Sequence, residues 1–180
     1  MTLDREHVLR AAADFLGRRP NATQDEIAAA VGVSRATLHR YFSGRAALLE
    51  ALDEFATDHL CEALKSARVQ DDSAAAALRR LVAACQPVSG YLNLLYTQSQ
   101  DFETNQPKQA WAEIDAEIRE LFLRGQREGE FRPDLNAFWL TEAFFNLMAG
   151  AAWVVSVGGA GHREFTGMVT ELLLRGVSRP

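Results

Sequence analysis

The chain has 180 residues, 48% of them hydrophobic and 24% charged, with a formal net charge of −5. That is enough apolar material for one sizeable core, or two small ones sharing a helix, and too much for a disordered chain. Two distant cysteines, Cys61 and Cys85, point to reduced cytosolic thiols rather than a disulfide framework, and the charged opening of the chain excludes a signal peptide, so a cytoplasmic protein is expected.

Apolar residues recur at helical period throughout and no alternating strand pattern competes, so the fold class is all-α. A first amphipathic helix is expected over residues 5–18, with Val8, Ala12, Phe15 and Leu16 on one face. Residues 23–42, TQDEIAAAVGVSRATLHRYF, read as two short helices joined by a turn. Thr23 with Glu26 makes a capping box, so the second helix starts at Gln24 with two orphan amides satisfied. Ile27 and Val31 point inward, and Ala28 is small where another helix must cross. Gly32 stands where the turn needs a left-handed backbone, Val33 plugs the gap, and Ser34 caps the third helix. Leu38 and Tyr41 face inward from that helix, which leaves Arg35, Ala36, Thr37, His39 and Arg40 outside.

A fourth helix spans residues 45–68, with Leu48, Leu52, Phe55, His59 and Leu60 on its inner side. Ser73 caps a helix running to Cys85, broken by Pro87 and Gly90; residues 91–96 form a short helix and 101–107 a polar loop. Residues 108–127 form a long helix with Trp111, Ile114, Ile118, Leu121 and Phe122 inward. The helix over 134–157 is apolar on more than one face and so should be buried all round, which in a chain this size calls for a second subunit. Gly158, Gly159 and Gly161 mark a hinge before a last helix over 163–177, carrying Phe165, Met168, Val169, Leu172 and Leu173. The total is about nine helices. No apolar run reaches the length of a bilayer span, and His59 and Cys61, two apart, point to different helix faces and make no metal site.

The paired short helices have the geometry of a DNA-reading helix-turn-helix. Residues 1–48 carry seven arginines against five acids, +2, leaving −7 for the remainder, which should point away from DNA. The motif, with TLHRYFSGRAALLEAL from Thr37 and the echo GEFRPDLNAFWL from Gly129, resembles the tetracycline-repressor (TetR) family of transcriptional regulators. Arg45 stands where the family usually has lysine, and His39 where many members have tyrosine. The resemblance implies a three-helix DNA-binding domain, residues 1–48, joined to a larger helical ligand-binding and dimerisation domain, residues 49–180. It also implies a homodimer built by the last two helices, a palindromic double-stranded DNA operator, and a small, largely apolar effector that releases it.

On that reading Arg35 and Arg40 pair with guanine edges or phosphates, Thr37 meets a thymine methyl or a phosphate, and His39 meets a base edge. Ser34 and Ala36 share this surface, while Thr23, Tyr41 and Arg45 are assigned to the DNA backbone. Tyr91, Tyr96, Trp111, Phe122, Phe144 and Trp153 are expected to line an effector cavity, with Asn146 as its polar handle. No Ser/His/Asp or Cys/His set, paired-carboxylate motif or phosphate-binding glycine loop stands in an interpretable place, so neither enzyme activity nor a cofactor or metal is expected. The competing readings are an enzyme or a helical protein-interaction module that has kept the fold without operator binding. The missing catalytic motifs speak against the first, and the intact arginines against the second.

Overall fold

Helix α1 (Arg5–Arg18) buries Val8, Leu9, Ala12, Ala13 and Leu16 against α2 (Gln24–Val31) and α4 (Arg45–Ala67). The computed structural model describes residues 4–92 and 109–178. Between α2 and α4 lies the short α3 (Arg35–Tyr41), which buries only Leu38. Helix α4 crosses residue 48 without a break, so its first turn belongs to the N-terminal core and its later turns pack on α5 (Ala74–Cys85) and α6 (Gln109–Arg127). Helix α7 (Ala137–Ser156) packs on α6, and α8 (Phe165–Val177) packs on α5 and α7. Among the described residues there is no strand, only an isolated bridge between Phe131 and Ser178.

The eight helices agree with the all-α reading, and a 3-10 turn, Gln86–Val88, leads into helical residues 89–92. The expected short helix therefore starts two residues early; the rest of it, the polar loop and Lys108 lie outside the described residues. Three boundaries shift for identifiable reasons. α4 ends at Ala67 because Arg68 turns left-handed, at φ 45°. α7 starts at Ala137 rather than at 134, because the Asn136 side chain accepts from the amides of Phe138 (2.8 Å) and Trp139 (3.4 Å), while Asp134 is occupied with Arg132. α8 starts at Phe165, after the turn in which Glu164 accepts from the Gly161 amide.

Two expectations about α7 are corrected. By length and composition alone it is long and apolar enough to cross a membrane, contrary to the sequence reading. It is also not buried all round: Leu140, Phe144 and Met148 face the core, while Phe138, Trp139 and Trp153 are exposed. On α8, Phe165, Val169 and Leu173 are buried, but Met168 and Leu172 face outward. An apolar stripe therefore crosses both helices with nothing from the described chain over it.

Two long-range ties hold the second domain. The Glu130 carboxylate accepts from the amides of Ala74 (2.8 Å) and Ala75 (3.0 Å), capping α5 from 56 residues away. Burial opposes the charged form of Glu130, but those amides, Ser73 and Arg124 outweigh it and hold the carboxyl below its ordinary value. Arg124 donates to the carbonyls of Asp72 and Val69, both at 2.8 Å, and fastens the same corner.

Candidate nucleic-acid interface

The α2–α3 unit is built by its own side chains. Thr23 Oγ1 accepts from the Glu26 amide at 3.3 Å, and the Thr23 amide donates to Glu26 Oε2 at 2.8 Å, the capping box in full. Those hydrogen bonds from Thr23 hold the Glu26 carboxyl below its usual range. Gly32 takes φ 79°, and the Val33 amide bonds back to the Ala28 carbonyl at 2.9 Å. Ser34 Oγ accepts from the Thr37 amide at 3.1 Å, and its hydroxyl lies 2.9 Å from Thr37 Oγ1.

The outer face of α3 is then turned to solvent. Arg35, Ala36, His39 and Arg40 are exposed with Ser34, while Thr37 and Tyr41 are half-buried. The Arg40 guanidinium lies 5.8 Å from the Tyr41 ring centroid, which directs it along the helix. Thr23 is exposed at the start of α2, but its hydroxyl is tied into the capping box.

The sequence reading missed two partners. Asp25 accepts from Arg35 Nη1 at 3.0 Å, joining the first turns of α2 and α3 and aiming the arginine. Their ten-residue separation hides the pair until the turn at Gly32 folds the helices together. The Arg45 guanidinium donates to the carbonyl of Ala22 at 2.6 Å and to that of Pro20. It braces the α1–α2 turn against the start of α4, a structural task beside the DNA-backbone contact expected of it. We expect Arg45→Ala to destabilise the fold by about 1–3 kcal/mol, since two carbonyls lose a charged donor. Thermal unfolding checks that. The salt dependence of DNA binding separates the two tasks: a slope lowered by about one unit marks the phosphate contact, and an unchanged slope the brace alone.

Among the described residues, those proposed for the effector do not converge on one cavity. Phe122 and Phe144 are wholly buried in the core, beside Phe131 (6.0 Å) and Phe145 (5.5 Å). Trp111 is half-buried and stacks on Phe145 at 5.2 Å. Tyr91 is buried edge-on to Phe55 at 5.1 Å, and its hydroxyl is enclosed without a hydrogen-bond partner. Burial pushes the Tyr91 ionisation far up against the pull of Arg10. Tyr96 lies outside the described residues. Asn146 and Trp153 are on the outward face of α7, and the Asn146 amide donates to the Glu142 carbonyl at 2.8 Å. A cleft of about 350 Å³ does exist where α1 meets α7 and the turn after α5. Of the six candidates among the described residues only Trp153 reaches it, with Asp14, Ser89 and His162. Burial raises the Asp14 carboxyl pKa against the opposing charges of Arg18 and Arg10.

Two short helices joined through a left-handed glycine, the second with an exposed, basic outer face, define a helix-turn-helix DNA-binding protein. The model of the bacterial regulatory proteins of the tetR family matches residues 8–52. The HTH-type transcriptional regulator NfxB of Pseudomonas aeruginosa is 30% identical over 177 residues, covering 97% of this chain and 95% of its own. The HTH-type transcriptional repressor LfrR of Mycolicibacterium smegmatis is 31% identical over 169 residues, 93% of this chain and 87% of its own. The solved structure of LfrR from Mycobacterium smegmatis in complex with proflavine matches with a TM-score of 0.70 at 27% identity, covering 98% of this chain and 97% of that one. The chain belongs to the tetR family of bacterial regulatory proteins and is a DNA-binding transcriptional regulator.

Proposed function

We propose that this regulator is a cytoplasmic, ligand-responsive repressor that binds a palindromic operator as a homodimer and is neither an enzyme nor bound to a membrane. The outward face of α3, with Arg35 and Arg40 free of the core and no acidic side chain on the helix, carries the DNA half of the reading. α3 enters the major groove: Arg35, Thr37, His39 and Arg40 reach bases or phosphates, and Ser34, Ala36 and Tyr41 line the contact. Thr23 presents the start of α2 to the DNA backbone.

The division at residue 48 is functional rather than physical, since α4 spans it and transmits movement between the domains. A second route runs through Gly90, where a Cβ would come within 3.0 Å of Asp14 Oδ1, so the turn after α5 lies directly on α1. An effector that favours a different seating of this turn on α1 would draw the population away from the operator-binding form. Its class is a small, largely apolar molecule, in keeping with the proflavine complex of LfrR. The aromatic side chains of Tyr91 and Trp111 and the cleft beside Trp153 are the places to look for it.

Gel-shift titration of the chain's own upstream DNA tests the reading. Arg35→Ala and Arg40→Ala should each weaken specific binding by about 1–3 kcal/mol, the worth of a bidentate base contact. Unchanged affinity in both folded variants would remove α3 from the interface. Proflavine is the first probe for the effector half, read as release of the bound fragment.

A further inference from the structure

The outward face of α7 has a regular pattern. Trp139, Ala143, Asn146, Gly150, Trp153 and Val157 follow one another in alternating steps of four and three residues. That is the spacing of a helix seam that packs along another helix. The seam carries no charge, and at Gly150 a Cβ would meet nothing within 4 Å, so the face is open to close approach. Trp139 and Trp153, 62% and 51% exposed, flank its centre. The single polar side chain, Asn146, lies next to that centre.

We infer that Asn146 pairs with Asn146 of a second copy across the dimer axis and makes the seam selective for this chain; this rests on the dimer reading above. Where α7 packs antiparallel on its own copy, the residue on the two-fold axis meets its own counterpart. A primary amide suits such a meeting, because it carries both a donor and an acceptor, and two related by a two-fold can exchange equivalent N–H···O bonds. One Asn146 N–H is fixed to the Glu142 carbonyl at 2.8 Å, which orients the side chain. The second N–H and the oxygen remain for the partner. A chain with an apolar residue here would leave the amide unpaired in a dry seam, which disfavours a mixed dimer more than either parent.

The test mixes wild-type protein with a mass-tagged Asn146→Leu variant, lets subunits exchange to equilibrium, and counts dimers by native mass spectrometry. Tagged and untagged wild type should give one-half mixed dimers, the statistical share. Wild type with Asn146→Leu should give about one-tenth, the share expected for one unpaired amide. Asn146→Ala, which adds no bulk, should behave alike. A mixed share of one-half for both variants overturns the pairing and leaves the dimer standing. Wild-type protein that is monomeric at micromolar concentration overturns the dimer, and the pairing with it.

Discussion

Leu172→Glu is expected to convert the dimer to monomers and to weaken operator binding at least about 100-fold, the scale on which a second, tethered contact contributes. Leu172 is 60% exposed in the single chain, so the substitution costs the subunit's own core nothing. In a dimer closed by α7 and α8 the new carboxylate would enter a dry interface, where an unpaired charge is strongly disfavoured. Its neighbour Arg175 is already paired with Glu171 and offers limited relief. Sedimentation at micromolar concentration reads the assembly, and circular dichroism should show unchanged helix content. A variant that remains dimeric with full affinity would place the interface elsewhere.

The exposure of that stripe also shows which parts of the fold were legible in the sequence. The DNA-binding unit was readable almost residue by residue, because its determinants are local: a capping box four residues long, a left-handed glycine, a second cap. The α7–α8 stripe was readable as excess apolar surface, and the structure divided it into inward and outward halves. The effector residues were not readable, since aromatic side chains at helical spacing serve core and cavity alike. Phe122 and Phe144 went to the core, and Asn146 and Trp153 to the outer face.

Contacts between distant segments were equally hidden. Arg45 looked like a surface cation beside DNA until its partners, the carbonyls of Pro20 and Ala22, came into view. Glu130 caps α5 from 56 residues away, a tie that no local pattern announces. In both cases only the tertiary fold discloses what the side chain does.

Gly125 is the sharpest instance, and it supports the other large prediction. Inside α6 a glycine normally weakens the helix relative to alanine, by about 1 kcal/mol. Here a Cβ at that position would overlap the ring of Phe131, which is fully buried. The chain returns on itself at this point: the amides of Glu130 and Phe131 both donate to the Gly125 carbonyl at 2.9 Å. The next amide, that of Arg132, donates to the Val177 carbonyl at 2.9 Å, so Phe131 ties the end of α6 to the end of α8. Phe131→Ala should therefore cost about 3–5 kcal/mol. In a chain of this length that lowers the melting temperature by roughly 6–20 °C. Gly125→Ala alone should destabilise by about 1–3 kcal/mol through overpacking, despite its better helix propensity. Combining them should relieve the clash, because the new methyl enters space the ring has left. The double variant is then expected to be more stable than the sum of the singles by about 1–3 kcal/mol. Thermal or urea unfolding of all four proteins closes the cycle, and strict additivity would show that the glycine is not there for the ring.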